Sequence, residues 1–285
     1  MTRVLVTGSA GQLGRQVVLD ARAAGHHVAG LGRQEPEPCD LTDERGVRTL
    51  VTAFAPDLIV HAGAWTAVDA CEADPVRAHK VNALGTRHVV RAAAEVGAHV
   101  VYVSTDFVFD GTKTTPYTET DAVNPLSAYG RSKLAGEREM DPGHTIARTS
   151  WLCGAYGPNM VRTVLRLAAE RAELRFVHDQ VGNPTFTADL SPALLHLGEQ
   201  RAAGTFHVTN QGAVSWYELA GEVLAASGLD PNRVRPVATS DLEPARPAPR
   251  PANSVLDNTA PAQSRLRRAP APPHPTPGPG GPSQS

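Results

Sequence analysis

Lysine is scarce in this chain of 285 residues: there are three, against 24 arginines. Cysteine is scarce as well, with only Cys39, Cys71 and Cys153. An odd number, with no CxxC and no histidine at metal spacing, excludes a disulfide framework and a cysteine zinc site. Reduced, buried thiols in a cytoplasmic protein are expected instead. No apolar run approaches the roughly 18–20 residues that a spanning helix needs, so no membrane partner is expected. A net charge of −2 gives no bulk attraction for nucleic acid. The opening MTRVLVTGSAGQLG lacks the charged, apolar, small-residue order of a signal peptide. Residues 261–285 contain no acid and eight prolines. Such a segment buries too little apolar surface to offset its chain entropy, and a disordered tail is expected there. What remains is 41% hydrophobic and 20% charged, enough for one large core or two smaller ones.

Strand and helix patterns alternate over the first half. RVLVTG (3–8), HVAGLGR (27–33), PDLIVHAGA (56–64), HVVYVSTDFVF (99–109) and HTIARTSWL (144–152) read as strands, with a short third strand before Asp40. Helical spacing follows Gly14 and recurs over 75–97 and over 127–140, where Ser127 is placed to cap. This order predicts an α/β, doubly wound parallel sheet of the Rossmann type over residues 1–150. Beyond it the rhythm weakens: helices over 160–174 and 215–228 and a strand over 204–210 suggest a smaller mixed α/β substrate lobe over 151–260. Some of its elements are expected to return to the first lobe.

GSAGQLG places Gly8, Gly11 and Gly14 between the first strand and the first helix. Glycines there permit a tight turn, and the helix N-terminus offers free amides to a pyrophosphate. The order strand, loop, helix is the context such a motif requires. At the end of the second strand a reader of NAD places an acid. This chain has GLGRQ, with no acid before Glu35, and Arg33 can hold a 2′-phosphate by a charge-assisted bond. NADPH is therefore the expected cofactor, with NADH the alternative. Asp40 of CDLTD can accept from an adenine amine. The small residues of HAGAWT (Ala62, Gly63, Ala64) let a ribose lie against the backbone.

One of the three lysines stands in YGRSK. Tyr129 and Lys133 are i and i+4 on one helix face. A phenol is a poor acid–base catalyst at neutral pH, and a nearby ammonium favours its ionised form. Thr105 ends the preceding strand at the carboxyl edge, where open α/β sheets bind ligands. Its hydroxyl, beside the phenol, can hold a carbonyl oxygen. The expected chemistry is hydride transfer to a carbonyl, with Tyr129 giving the proton and Lys133 tuning Tyr129.

With these residues the chain resembles the extended short-chain dehydrogenases/reductases and, within them, the dTDP-4-dehydrorhamnose reductase family. TGSAGQLG, TAVDACE, VNALGT, VSTDFVFDG, SAYGRSK, RTSWL, DQVGNPT and RPANSVLDN carry the resemblance. It implies NADPH-dependent reduction of the 4-keto group of a dTDP-4-keto-6-deoxyhexose. It also implies roles: Gly11, Gln12 and Leu13 on the pyrophosphate, Asp40 and Leu41 beside the adenine, and Ala64, Trp65, Thr66 and Val103 toward ribose and nicotinamide. Tyr129 and Lys133 keep their catalytic roles, and Thr105, Asp106, Trp151 and Arg250 would meet the sugar nucleotide. Some members use Mg2+ at a subunit contact, but no ligand cluster here argues for it; a homodimer is left open. Members usually continue after RPANSVLDN with a final helix, where this chain turns proline-rich.

His61 and His207 have no metal-spaced partner and read as core or edge histidines. Cys153 reads as packing, and the acids of TETD (118–121) as a surface loop. Three other functions compete. One is a reductase for a related antibiotic deoxysugar. Another is an epimerase or dehydratase, disfavoured because Asp106 is followed by Phe107 rather than a second carboxylate. The third is a non-catalytic NAD(P)-binding regulatory subunit, as some relatives are for an S-adenosylmethionine-forming enzyme.

Overall fold

A computed structural model describes residues 1–33 and 38–259. β1 (Arg3–Thr7), α1 (Gln12–Ala23) and β2 (His27–Leu31) open the chain, and α2 (Glu44–Phe54) leads to β3 (Leu58–His61). α3 (Val68–Ala73), α4 (Pro75–His79), a π-helical turn at Lys80–Leu84 and α5 (Gly85–Val96) form the next crossover. β4 (His99–Thr105), a 3-10 turn at Asp106–Val108, α6 (Ala128–Glu137) and β5 (Thr145–Thr149) complete this part. Then come β6 (Leu152–Cys153), α7 (Met160–Glu170), β7 (Leu174–Val177), β8 (Val181–Gly182) and β9 (Thr185–Phe186). α8 (Thr187–Glu199), β10 (Gly204–His207), β11 (Val214–Ser215), α9 (Trp216–Ala226) and β12 (Val234–Val237) follow.

Six strands form one parallel sheet in the order β10-β5-β4-β3-β1-β2. Alternate residues of a strand face opposite sides, and both sides are apolar here. Val4, Val6, Val60 and Val101 pack on Leu13 and Val17 of α1 and on Leu190 and Leu194 of α8. Leu5, Ile59 and Val100 pack on Val47 and Val51 of α2 and on Val89 and Ala93 of α5. This is the doubly wound sheet that the alternation predicts. A third core joins α7, α9, β7 and β12 around Val164, Phe176, Leu219 and Leu224. Thus β10 and α8 extend the large sheet and its cover, while α7 and α9 build a separate core.

Several boundaries differ from expectation. β2 stops at Leu31, so Arg33 lies in the following turn, and β4 stops at Thr105 before the 3-10 turn. No strand precedes Asp40 among the described residues, and Glu35 lies outside them. α2 was not anticipated, although Val47, Leu50, Val51 and Phe54 carry helical spacing and Asp43 caps the first turn by accepting from Gly46 N. The π turn interrupts what reads as one helix over 75–97. The tail expectation for 261–285 falls outside the described residues.

Candidate active site

The strand order reverses between β2-β1 and β3-β4-β5. At such a switch point the loops after neighbouring strands part and leave a crevice. Those loops are locked together by backbone. A Cβ on Gly8 (φ +65°) would lie 2.7 Å from Gly63 Cα, and one on Gly14 only 2.2 Å from Gly8 O. Thr7 Oγ1 accepts from Gly63 N at 3.0 Å and meets His61 Nδ1 at 2.6 Å. His61 also reaches Thr86 Oγ1 at 3.0 Å, so it is a satisfied core histidine, and burial pulls its pKa down to about 3.

Gly11 caps α1 with no side chain accepting from the first-turn amides and no acid in that turn. The amides of Gln12 and Leu13 are the donors an anion would need. The Gly8–Gly14 cradle thus fits a dinucleotide pyrophosphate. The segment after β6 approaches it: Asn159 Nδ2 donates to Gln12 Oε1 at 2.8 Å, and Arg15 lies 4.4 Å over the Tyr156 ring.

A cleft of about 330 Å³ opens beside the cradle. Gly8, Arg33, Asp40, Leu41, Ala64 and Trp65, all expected cofactor residues, line it. Arg77, Lys80 and Thr42 line it too, and sequence reasoning passed over them. Asp40 Oδ1 accepts from Thr42 N and Oγ1 at 2.9 and 2.8 Å. The Thr42 amide chiefly holds the Asp40 carboxyl below its usual range, with Arg33 and Arg77 adding to the effect. Thr66 is exposed beyond Trp65.

Asn82, in the π turn, ties three elements together. Its Oδ1 accepts from Trp65 N at 2.7 Å, and its Nδ2 donates to Trp65 O and to Ser132 Oγ at 3.0 and 2.9 Å. The extra residue of a π turn re-aims a side chain, a device common at functional sites. The VNALGT segment held this signal.

α6 carries Tyr129 and Lys133. Ser127 Oγ caps it by accepting from Gly130 N at 3.1 Å, and Glu72 accepts from Ala128 N at 2.7 Å. Tyr129 is 9% exposed, with Phe107 edge-on at 5.6 Å and Cys71 and Ala78 in the same cluster. Burial pushes its phenol well above the ordinary value, the Thr105 hydroxyl pulls it down, and the Asp106 charge pushes it up. Lys133, 2% exposed, donates from Nζ to Val103 O at 2.8 Å and lies 4.0 Å over the Tyr102 ring. Burial lowers its pKa to about 7. The lowering of the Tyr129 pKa expected from Lys133 is not found in the chain alone: burial raises it, and the group that lowers it is the Thr105 hydroxyl. An anion bound beside Lys133 would restore its charge.

Thr105 Oγ1 donates to Asp106 Oδ1 at 2.9 Å and accepts from Phe107 N at 3.2 Å. Asp106 is buried, and its Oδ2 has no hydrogen-bond partner among the described residues. Burial pushes it up to about 6, offset by the neighbouring hydroxyls of Ser254 and Thr105. Trp151 adopts φ +45° and stacks on Trp216 at 3.4 Å and 6°, while a Cβ on Gly182 would lie 2.6 Å from its other side. A left-handed tryptophan is strained backbone, which clusters at ligand sites. Trp216 and Gly182 were not singled out from sequence.

Arg250 is paired within the protein. Its Nη1 and Nη2 reach the two oxygens of Asp69 at 3.1 and 2.8 Å, and Ala248 N donates to Asp69 Oδ1 at 3.1 Å. The guanidinium is committed to α3 by a bidentate pair. The TAVD and RPANS segments therefore meet in space, beside Val68, which packs in the Tyr129 cluster. Among the described residues no group of three His, Cys, Asp or Glu side chains is arranged to hold a metal. No helix among them is long and apolar enough to cross a membrane.

Residues 1–271 match the family described as RmlD substrate binding domain. The chain belongs to this family. It is 44% identical over 279 residues to a dTDP-4-dehydrorhamnose reductase of Streptomyces griseus, covering 94% of this chain and 88% of that protein. It is 40% identical over 245 residues to a dTDP-4-keto-6-deoxy-D-glucose reductase of Streptomyces niveus, covering 84% of each. A crystal structure of dTDP-4-dehydrorhamnose reductase from Bacillus anthracis, in complex with NADP, superposes with a TM-score of 0.86 at 36% identity. The match covers 94% of this chain and 93% of that one.

Proposed function

We propose that this chain reduces the 4-keto group of a dTDP-4-keto-6-deoxyhexose with NADPH, and that dTDP-4-dehydro-L-rhamnose is the substrate. The observation that carries this is the buried Tyr129, with Thr105 beside it at the end of β4 and Lys133 one turn along α6, while the Gly8–Gly14 cradle follows β1 of the same parallel sheet. The relatives named above supply the substrate class. A bound nicotinamide supplies hydride to the carbonyl carbon. Tyr129 gives its proton to the carbonyl oxygen, and the Thr105 hydroxyl, turned from Asp106 Oδ1 when substrate binds, donates to the same oxygen. Lys133 steadies the phenolate that remains. The high pKa of a buried phenol keeps Tyr129 protonated until that moment, which suits a proton donor. Asp106, through its unpartnered Oδ2, accepts from a sugar hydroxyl, and Trp151 forms a wall. Arg250 supports the wall near α3 from its pair with Asp69.

The protein has one carboxylate, Asp106, directly after Thr105, and Phe107 follows. This supports reduction over dehydration, which needs a second acid there. A related deoxysugar remains the alternative, because pocket walls rather than the Tyr129 group set that choice. The test is turnover of NADPH by wild type and by Tyr129→Phe with dTDP-4-dehydrorhamnose. Wild type should oxidise NADPH, and the variant should lose about 100-fold or more in kcat while binding NADPH as before. An equally active variant would remove Tyr129 from the reaction.

A further inference from the structure

The cleft beside the cradle carries more positive charge than the diphosphate of a dinucleotide explains. Arg33 enters from the turn after β2, Arg77 from α4, and Lys80 from the π turn. None of the three forms an ion pair with a described residue. Arg77 is held in place by stacking 4.5 Å over the Trp65 ring. Arg33 and Arg77 come from different elements, and both act on the Asp40 carboxyl. Asp40 Oδ1 is already taken by Thr42. The diphosphate belongs at the first turn of α1, and Gly11, Gln12 and Leu13 are not part of this cleft. The cations therefore gather at the adenosine end of the site. The one anion an adenosine can present there is a phosphate on its ribose.

We propose that Arg77 and Lys80 join Arg33 in holding the 2′-phosphate of NADPH, and so set the preference for NADPH over NADH. This rests on the dinucleotide reading above. Arg33 alone, in an exposed turn, would give a weak and salt-screened contact. Two further cations from the α4–π-turn segment let the phosphate be held by more than one charge. NADH would leave the same cluster facing neutral hydroxyls, with only Asp40 to offset it.

The test compares adenosine 2′,5′-bisphosphate with AMP by calorimetry, and NADPH with NADH by fluorescence titration. The proteins are wild type, Lys80→Met, Arg77→Met and the double variant. The Lys80 side chain is exposed and makes no hydrogen bond or ion pair with a described residue, so its variant keeps the fold whatever Arg77→Met does to Trp65. Lys80→Met should weaken the bisphosphate about 5- to 10-fold, and the double variant more, with AMP within about twofold of wild type. The ratio of NADPH to NADH affinity should fall by the same factor. Equal weakening of bisphosphate and AMP, or no change in either, overturns this role for the cations. A wild-type protein that binds neither NADPH nor NADH overturns the dinucleotide reading itself, and this role with it.

Discussion

The cofactor edge of the large sheet and the segments that face it from residues 150–259 are held by different kinds of contact. At the edge, backbone meets backbone. Gly8, Gly63 and Gly14 approach within distances that exclude a Cβ, and four strand ends lie side by side in register. On the facing side the strands are two to four residues long. Single side-chain contacts join them across the chain: Asp69 to Arg250, Trp151 to Trp216, Asn183 Oδ1 accepting from Leu256 N at 2.9 Å. A backbone-built site is preorganised and intolerant of added atoms. A latch-built wall tolerates substitution one contact at a time and can vary to suit different sugars. On the proposed function, the first region binds the cofactor and the second sets the choice of sugar.

Gly14→Ala should have the largest effect on this comparison after Tyr129→Phe. Its Cβ would sit 2.2 Å from Gly8 O, a backbone atom that cannot move without β1. We expect a loss of about 1–3 kcal/mol in stability and no measurable NADPH binding. Normal binding would show that the loop is softer than the geometry says. Asp69→Asn should act on the other region only. It leaves the Arg250 guanidinium without its charged partner, and KM for the sugar nucleotide should rise about tenfold. NADPH affinity should stay unchanged, and an equal loss for both ligands would erase the distinction between the regions.

The smallest effect concerns pH. Burial lowers His61 to about 3 and His99 to about 4. The unfolded chain takes up protons below the ordinary histidine value of about 6.5 that the folded chain refuses. Stability should therefore fall as pH drops from about 6.5 toward 4. Asp106 opposes this, because its folded pKa of about 6 lies above the ordinary 3.8. The urea midpoint should be lower at about pH 5 than at pH 7, and Asp106→Asn should steepen the loss. An unchanged midpoint would mean that these histidines are not held neutral.

The sheet was legible because its signals are local. Val4 and Val6 alternate with Leu5, Gly8 follows at once, and Tyr129 and Lys133 share a turn. α2 was legible too, in Val47, Leu50, Val51 and Phe54, but was hidden by its charged N-terminal half. The latches were not legible in the same way. Asp69 and Arg250 are 181 residues apart, and no periodicity links them. TAVD and RPANS marked both ends of that contact without showing that they touch. Arg77 and Lys80 escaped notice because an exposed cation on a helix is ordinarily a solvated one. Only the folded cleft shows them lining one site with Arg33. The placement of Lys133 on Val103 O depends on burial, which no spacing reports.

The central claim is that hydride passes to a sugar carbonyl at a site where Tyr129 supplies the proton. The most direct measurement is to run the wild-type protein with dTDP-4-dehydrorhamnose and NADPH deuterated at the transferring position of the nicotinamide, and to read the sugar product by NMR. The account predicts one deuterium on C4 of the sugar, formed about 100-fold or more slowly with Tyr129→Phe. Oxidation of NADPH with no deuterium in the sugar, or labelled product at an undiminished rate with the variant, would contradict it.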